Sequence, residues 1–510
     1  VSGKLSLTRF WPLVLALAIT GCAGANARTT AMNAPDLPAL PEVSSTGGVA
    51  ALSVTSKLDA AGRPAFFWNG AEVAPTIRLR PGDEIHFHYE NDLPQTCGFG
   101  LVSDSNLHFH GLASEPKAPG DDVLTTNVRP GRAFDYIVKI GREQPPGLYW
   151  YHPHPHGLTN WEIGNGMSGA IVVEGIADAE PGVAGLHERV IVLRDIPHDP
   201  SLGAALAPDP KRVIPSPGNQ MAGDQDDQFD APCGVEMSSQ TTINGIPAAT
   251  LGIRPGERQL WRVLNASAHR HFDLQVPGVP LTLVAQDGVP LHYYRGERAS
   301  ETRWHVIIPP GGRAEFVITG PRQPRMLYSL CFDTGPGGDE NPGAILGELD
   351  DEDTANLPRV PAPFGLTVPA LYHDATVTPV RRRSLRLSED DKRFYINGVS
   401  YRPSLAPLFT VRAGTTEEWT IENTSSEVHV FHLHQVHLAL ESVNGRTNRD
   451  RHWIDVVDVP PATMRNNRVL PSHVRILVDF RDPSVRGVFP VHCHMADHED
   501  GGMMATIRVI

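Results

Sequence analysis

The stretch "HCHMADHEDGGMM", residues 492 to 504, sets a cysteine between two histidines, with a third histidine and two methionines just beyond. The chain spends these side chains sparingly elsewhere, with 5 cysteines and 9 methionines in 510 residues. Imidazole suits copper, zinc, iron and nickel, and a neighbouring thiolate narrows the choice. Two histidines, one cysteine and a weak axial methionine make a blue-copper site, tuned for one-electron transfer. Cys493, His498 and Met503 supply three such ligands, with His429 from a neighbouring strand as the fourth, and Met504 competes with Met503. Structural zinc prefers four strong ligands, often from Cys-x-x-Cys pairs, and the chain has no Cys-x-x-Cys.

Histidine is abundant, at 23 residues, and seven His-x-His pairs occur. Four sets stand out by context: "HFH" at His108 and His110, "HPH" at His152 and His154, "HVFHLH" from His429 to His434, and the C-terminal set. On a strand, residues i and i+2 share a face, so each pair aims two imidazoles at one point. By the same alternation His492 and His494 face away from Cys493, so one strand can serve two metal sites back to back. His86 with His88, and His269 with His271, read as satisfied surface or core histidines, whereas His156 and His437 are candidates for hydrogen bonding behind the ligands.

The elements that must hold these residues are strands. Stretches such as "TIRLRPGDEIHFHYEN" and "VRILVDF" alternate and are bounded by turn residues, among 47 glycines and 46 prolines. This predicts an all-β chain of Greek-key β-sandwiches, several to a chain of this length. Three stretches repeat one pattern, starting at Trp68, Ile243 and Ile396: Asn-Gly, an apolar strand, a glycine turn, and a second strand ending in Asn. They imply three copies of one domain, at 51–176, 177–347 and 373–510. An acidic, proline-bearing linker is expected at 348–372, and an insertion loop, able to border a substrate site, from about 196 to 240. In the middle copy "FDLQV" stands where the third has "FHLHQV", with Asp273 and Gln275 replacing His432 and His434. The middle domain is therefore expected to bind no copper and to act as a spacer.

The four sets, in this order across three repeats, resemble the multicopper oxidases, laccase-like enzymes of bacterial three-domain type built from cupredoxin domains. The resemblance runs from about residue 50 to the end. It implies four coppers: one type 1 held by His429, Cys493, His498 and Met503; one type 2 held by His108 and His432; and a type 3 pair held by His110, His152, His154, His434, His492 and His494. Its spacing selects Met503 over Met504. It places the trinuclear cluster between domains 1 and 3, and suggests proton delivery by Glu499, Asp121 or Asp122. The implied activity is one-electron oxidation of phenols or aromatic amines coupled to reduction of dioxygen to water. Oxidation of cuprous ion, or copper binding without catalysis, are the alternatives.

The segment 1–27 reads as an export signal: Lys4 and Arg9 precede an apolar run from Phe10 to about Thr20. Cleavage is expected before Cys22, where Ile19-Thr20-Gly21-Cys22 resembles a lipoprotein box, or after Ala27. Residues 28–50 read as a flexible tether. The expected location is periplasmic, or tethered to the outer membrane of a bacterium through a lipidated Cys22. One disulfide among Cys97, Cys233 and Cys331 suits that compartment. The net charge of −14, without basic clusters, argues against nucleic acid as a partner; the partners that the resemblance implies are a small reducing substrate and O2.

Overall fold

The structure, a computed structural model, describes residues 34–198, 239–293, 300–352, 354–366, 378–466 and 468–510. The export segment with Cys22, nearly all of the 196–240 insertion, residues 367–372 of the linker and residues 373–377 of the third domain lie outside the described residues. Among the described residues no helix is long and apolar enough to cross a membrane.

Three β-sandwiches follow one another, each made of two sheets. In the first, the sheet that carries the histidines runs Glu42–Ser44, Thr76–Leu79, Gly169–Val173, Gly147–His152, His108–His110. The middle domain repeats the order as Ala249–Gly252, Ala344–Asp350, Arg325–Leu330, Phe272–Gln275, Val306–Ile308. The third has Thr410–Val411, Met504–Val509, Gly487–Cys493, His429–Leu433, Val456–Val459. The strands that bear "HFH", "FDLQ" and "HVFHL" thus each pair with the corresponding strand, Gly147–His152, Arg325–Leu330 or Gly487–Cys493, although the first is an edge strand and the other two have a further strand beyond them.

The local chemistry of the repeat explains the common path. The Asn-Gly pairs at 69–70, 244–245 and 397–398 all take positive φ at both residues, the backbone that a two-residue hairpin demands and that Asn and Gly tolerate best. The strand-ending asparagines act as latches. Asn91 Nδ2 donates to Ser103 O and Val128 O, Asn265 Nδ2 to Arg270 O and Ile308 O, and Asn423 Nδ2 to Glu427 O and Val459 O. In each copy one side chain ties down the loop that leads into the position of the histidine strand.

Outer strands alternate as expected: Glu84–Asn91 and Thr416–Asn423 bury every second residue. The middle domain's Arg258–Asn265 is buried on both faces after its first residue, because Leu264 and Ala266 pack against Leu148, Trp150 and Val172 of the first domain. A second apolar seam joins Val289 and Tyr293 to Ala439, Trp453 and Leu477 of the third.

Two expectations need correction. From Ala34 the expected tether is docked: Leu37 N donates to Thr250 O, Glu42–Ser44 pairs in parallel with Thr76–Leu79, and Glu42 meets Arg78. The free edge of that sheet offers main-chain partners that composition does not reveal. The acidic linker begins later than expected, since Glu348 and Leu349 lie buried in a strand, and Val360 is pinned by hydrogen bonds with Leu186 and Gly185.

Candidate metal centre

Two ligand strands lie side by side in each outer sandwich. His108 sits opposite His152, and His110 opposite Trp150. In the third domain His432 sits opposite His492, and Phe431 opposite Cys493. Residues opposite one another in an antiparallel pair share a face. His432 and His492 therefore point out of the sandwich, while Phe431 and Cys493 point into its core, where both are fully buried.

The outward histidines of domains 1 and 3 meet. His108 stacks on His434 at 3.8 Å between ring centroids, and His110 on His432 at 4.1 Å. His492 Nε2 lies 3.0 Å from His434 Nε2 and 3.3 Å from His154 Nε2, and His494 Nε2 lies 3.2 Å from His110 Nδ1. All eight are buried, none more than 4 % exposed.

The nitrogens are prepared for metal. His108 Nδ1 faces Asp121, His152 Nδ1 the carbonyl of Pro153, and His432 Nδ1 the carbonyl of Asp455, while Nε2 of each is buried without a partner. An acceptor at Nδ1 fixes the tautomer that leaves Nε2 a lone pair. Each orphaned nitrogen would cost about 1–3 kcal/mol. Burial first, then neighbouring imidazoles, holds His152, His154, His434 and His494 well below the usual histidine range, so they stay neutral. A buried, neutral cluster of imidazoles fits copper ions.

On the core side, His429 Nδ1 and His498 Nδ1 lie 3.1 Å apart, at 3.9 and 3.6 Å from Cys493 Sγ. Val430 N donates to the sulfur. Burial pushes the Cys493 thiol up, so a cation is needed to hold it as thiolate. Met504 sits opposite His492 and shares its face. Met503 is fully buried in the same core cluster as Cys493. The outer edges of the two imidazoles meet polar groups: His429 Nε2 lies 2.9 Å from Ser425 Oγ, and His498 Nε2 lies 3.2 Å from Glu427 Oε1. Burial and then Glu389 push the Glu427 carboxyl up to about 10.

The three acids differ. Glu499 turns inward, with its carboxylate oxygens 3.4 Å from His154 Nδ1 and 3.6 Å from His492 Nδ1, and accepts from Thr159 Oγ1. Burial, then Asp500, raises it well above the carboxylate range. Asp121 is spent on His108, the Phe109 amide and Gln435. Asp122 does not reach the histidines: it accepts from the Leu124 and Thr125 amides and the Thr125 hydroxyl, closing a local turn.

Among the other histidines, His86 and His88 pair with surface acids Glu84 and Asp135. His269 meets Asp497 and His271 meets Asp458. His156 is exposed beside Tyr401, and His437 is buried. Asp273 of the middle domain meets His305. Cys97 is buried and free, and Cys331 is disulfide-bonded.

The sequence reading missed residues that converge from afar. Asp455 gives His432 its main-chain carbonyl and lies 3.2 Å from His110 Nε2 through its carboxylate, 345 positions away in sequence. Asp500 accepts from the amides of Gly157, Thr159 and Asn160, so a third-domain side chain caps the first-domain helix Thr159–Ile163. No spacing signal marks either residue.

Known proteins carry the same plan. Models of the multicopper oxidase family match residues 52–178, 216–342 and 375–510. The chain is 24% identical to a multicopper oxidase of Staphylococcus aureus, over 87% of this chain and 83% of that one. It is 26% identical to a laccase of Haloferax volcanii, over 87% and 77%. A solved multicopper oxidase from Campylobacter jejuni shares the fold with a TM-score of 0.68 at 21% identity, covering 93% of this chain and 95% of that one. With three matched domains of cupredoxin-like fold and histidine clusters fit for type 1, type 2 and type 3 copper, the chain belongs to the multicopper oxidases, copper-dependent oxidoreductases that use O2 as acceptor.

Proposed function

We propose that the protein oxidises phenols or aromatic amines one electron at a time. In this reading His429, Cys493, His498 and Met503 hold the type 1 copper, and His108 and His432 the type 2. His110, His152, His154, His434, His492 and His494 hold the type 3 pair. The observation that carries it is the division of one strand end: Cys493 turns into the core toward His429 and His498, while its neighbour His492 turns out toward His154 and His434. When bound, copper supplies one-electron oxidation of the substrate at the first site and reduction of dioxygen to water at the second.

The chain's own residues supply the rest. Cys493 is covalently joined to His492 and His494, so main chain links the two sites. Ser425 and Glu427 hold the outer imidazole edges of His429 and His498, where a reductant approaches. Glu499 holds a proton at its carboxyl, between His154 and His492, and passes it toward the cluster. The middle domain binds no copper. The disulfide at Cys331 supports export through residues 1–27 to an oxidising compartment, whether freely periplasmic or tethered at Cys22.

The carboxylates of Glu389 and Asp497 beside His429 and His498 favour cationic reductants, which gives cuprous ion a second reading. Oxygen uptake with phenols, aromatic amines and cuprous ion, each at several concentrations, separates them. The proposal expects the highest kcat/KM with an aromatic substrate. Uptake driven by cuprous ion alone would transfer the assignment to the second reading.

A further inference from the structure

The middle domain reaches the trinuclear histidines without contributing one. Its strand Arg313–Thr319 begins with an arginine that is buried, as is its partner Asp455 of the third domain. Arg313 Nη1 and Nη2 donate to Asp455 Oδ1 and Oδ2 at 2.7 and 2.6 Å, a two-point fork. Two parallel bonds fix orientation as well as charge. Asp455 Oδ1 in turn lies 3.2 Å from His110 Nε2. The other nitrogen of that ring, Nδ1, faces His494. A ring whose Nδ1 serves the cluster carries its proton on Nε2, and Asp455 is the acceptor for it.

Two glycines show that the backbone is shaped around this arrangement. Gly111, next to His110, has φ +84°, and a Cβ there would fall 2.5 Å from Arg313 Nη2 and 2.7 Å from Asp455 Oδ2. Gly311, two residues before the arginine, has φ +81°, and a Cβ there would fall 2.7 Å from His494 Cε1. The middle domain's main chain therefore lies against one cluster imidazole while its arginine reaches toward another. Arg313 is also held from its own side: its amide donates to Asp287 Oδ1 and Nη1 to Gly311 O. Its Nε donates to Leu148 O, on the first-domain strand that ends at His152.

We propose that Arg313 is a positioning residue of the oxygen-reducing cluster: acting through Asp455, it fixes the ring orientation and tautomer of His110, so the copper-free middle domain helps to set the geometry of the centre. This rests on the assignment of His110 as a cluster ligand.

The test uses the full copper-loaded chain and reads copper equivalents bound, the blue type 1 absorption, the near-ultraviolet type 3 absorption and the melting temperature. Arg313→Met and Asp455→Asn should keep the blue colour and lose copper and absorption at the cluster, with cluster affinity lower by about 10–100-fold. Either single change leaves a buried charge without its partner. The double variant Arg313→Gln, Asp455→Asn removes both charges and should still weaken the cluster, because the fork is gone. Tyr149→Phe serves as the control, since it removes the hydroxyl that donates to Gly288 O across the same seam and to Pro145 O within the first domain, without touching a histidine. It should lower the melting temperature and leave the type 3 absorption unchanged. If the Arg313 and Asp455 variants behave like Tyr149→Phe, with a full cluster and only a lower melting temperature, the pair is a domain clamp and the proposal is overturned. His110→Ala runs in parallel. An intact cluster in that variant would overturn the ligand assignment itself, whereas a lost cluster there beside an intact one in Arg313→Met overturns the proposal alone.

Discussion

At the scale of single residues, the account turns on which face of a strand a side chain takes. Cys493 was legible in the sequence because no other cysteine stands among histidines, and strand alternation already separated it from His492 and His494. Cys493→Ser should abolish the blue absorption and the oxidase activity while leaving copper at the cluster. Absorption and copper counting check this, and a blue, active variant would refute the assignment. Glu499 was legible only as a neighbour of His498, and its burial between His154 and His492 was not. Glu499→Gln should accept substrate electrons at the normal rate yet be reoxidised by oxygen about 100-fold more slowly, within the range for loss of a general acid. Stopped-flow measurement of the two half-reactions separates these effects. Asp122 shows the limit of reading acids by position, since its carboxylate is consumed by the turn that follows it.

At the scale of elements, the repeat predicted the sandwiches because its signals are local: an Asn-Gly turn needs positive φ, and alternation needs one buried face. What the three terminal asparagines do was not legible, since their acceptors lie on loops fixed only in the fold. Asn423 joins the loop before His429 to the end of the neighbouring strand, donating to Glu427 O, Val459 O and Pro460 O and accepting from Ser425 N. Asn423→Ala leaves these buried groups unpaired, at about 1–3 kcal/mol for each one that finds no water. The melting temperature should fall, and the blue absorption should weaken as His429 loosens. An unchanged spectrum together with an unchanged melting curve would show that the latch is idle. The docked segment from Ala34 was read as a tether because composition says nothing of a free sheet edge.

For the whole molecule, the family resemblance implied a cluster between domains 1 and 3, but not how the middle domain locks them. Its role depends on contacts between residues as distant as Arg313 and Asp455, which no periodicity encodes. The assembled interior also has a pH signature. Burial holds His492 and His437 down at about 3 and His452 at about 4, helped by Arg313 beside His437 and Arg303 beside His452, whereas unfolded histidines titrate near pH ~6.5. Below that pH the unfolded chain binds more protons, so stability is present above about pH 6.5 and is lost as pH falls toward the folded values. The copper-free protein should melt at progressively lower temperature from about pH 6.5 down to about pH 4. A flat profile in calorimetry would contradict the burial of neutral imidazoles.

The central claim is that one strand couples a site that takes single electrons to a site that reduces oxygen completely. Its most direct test is the ratio of a phenolic dye oxidised to dioxygen consumed by the copper-loaded protein, measured with an oxygen electrode and a peroxide assay on the same sample. The account predicts about four dye molecules oxidised by one electron each per dioxygen, with no peroxide released. A ratio of about two with peroxide accumulating would contradict it.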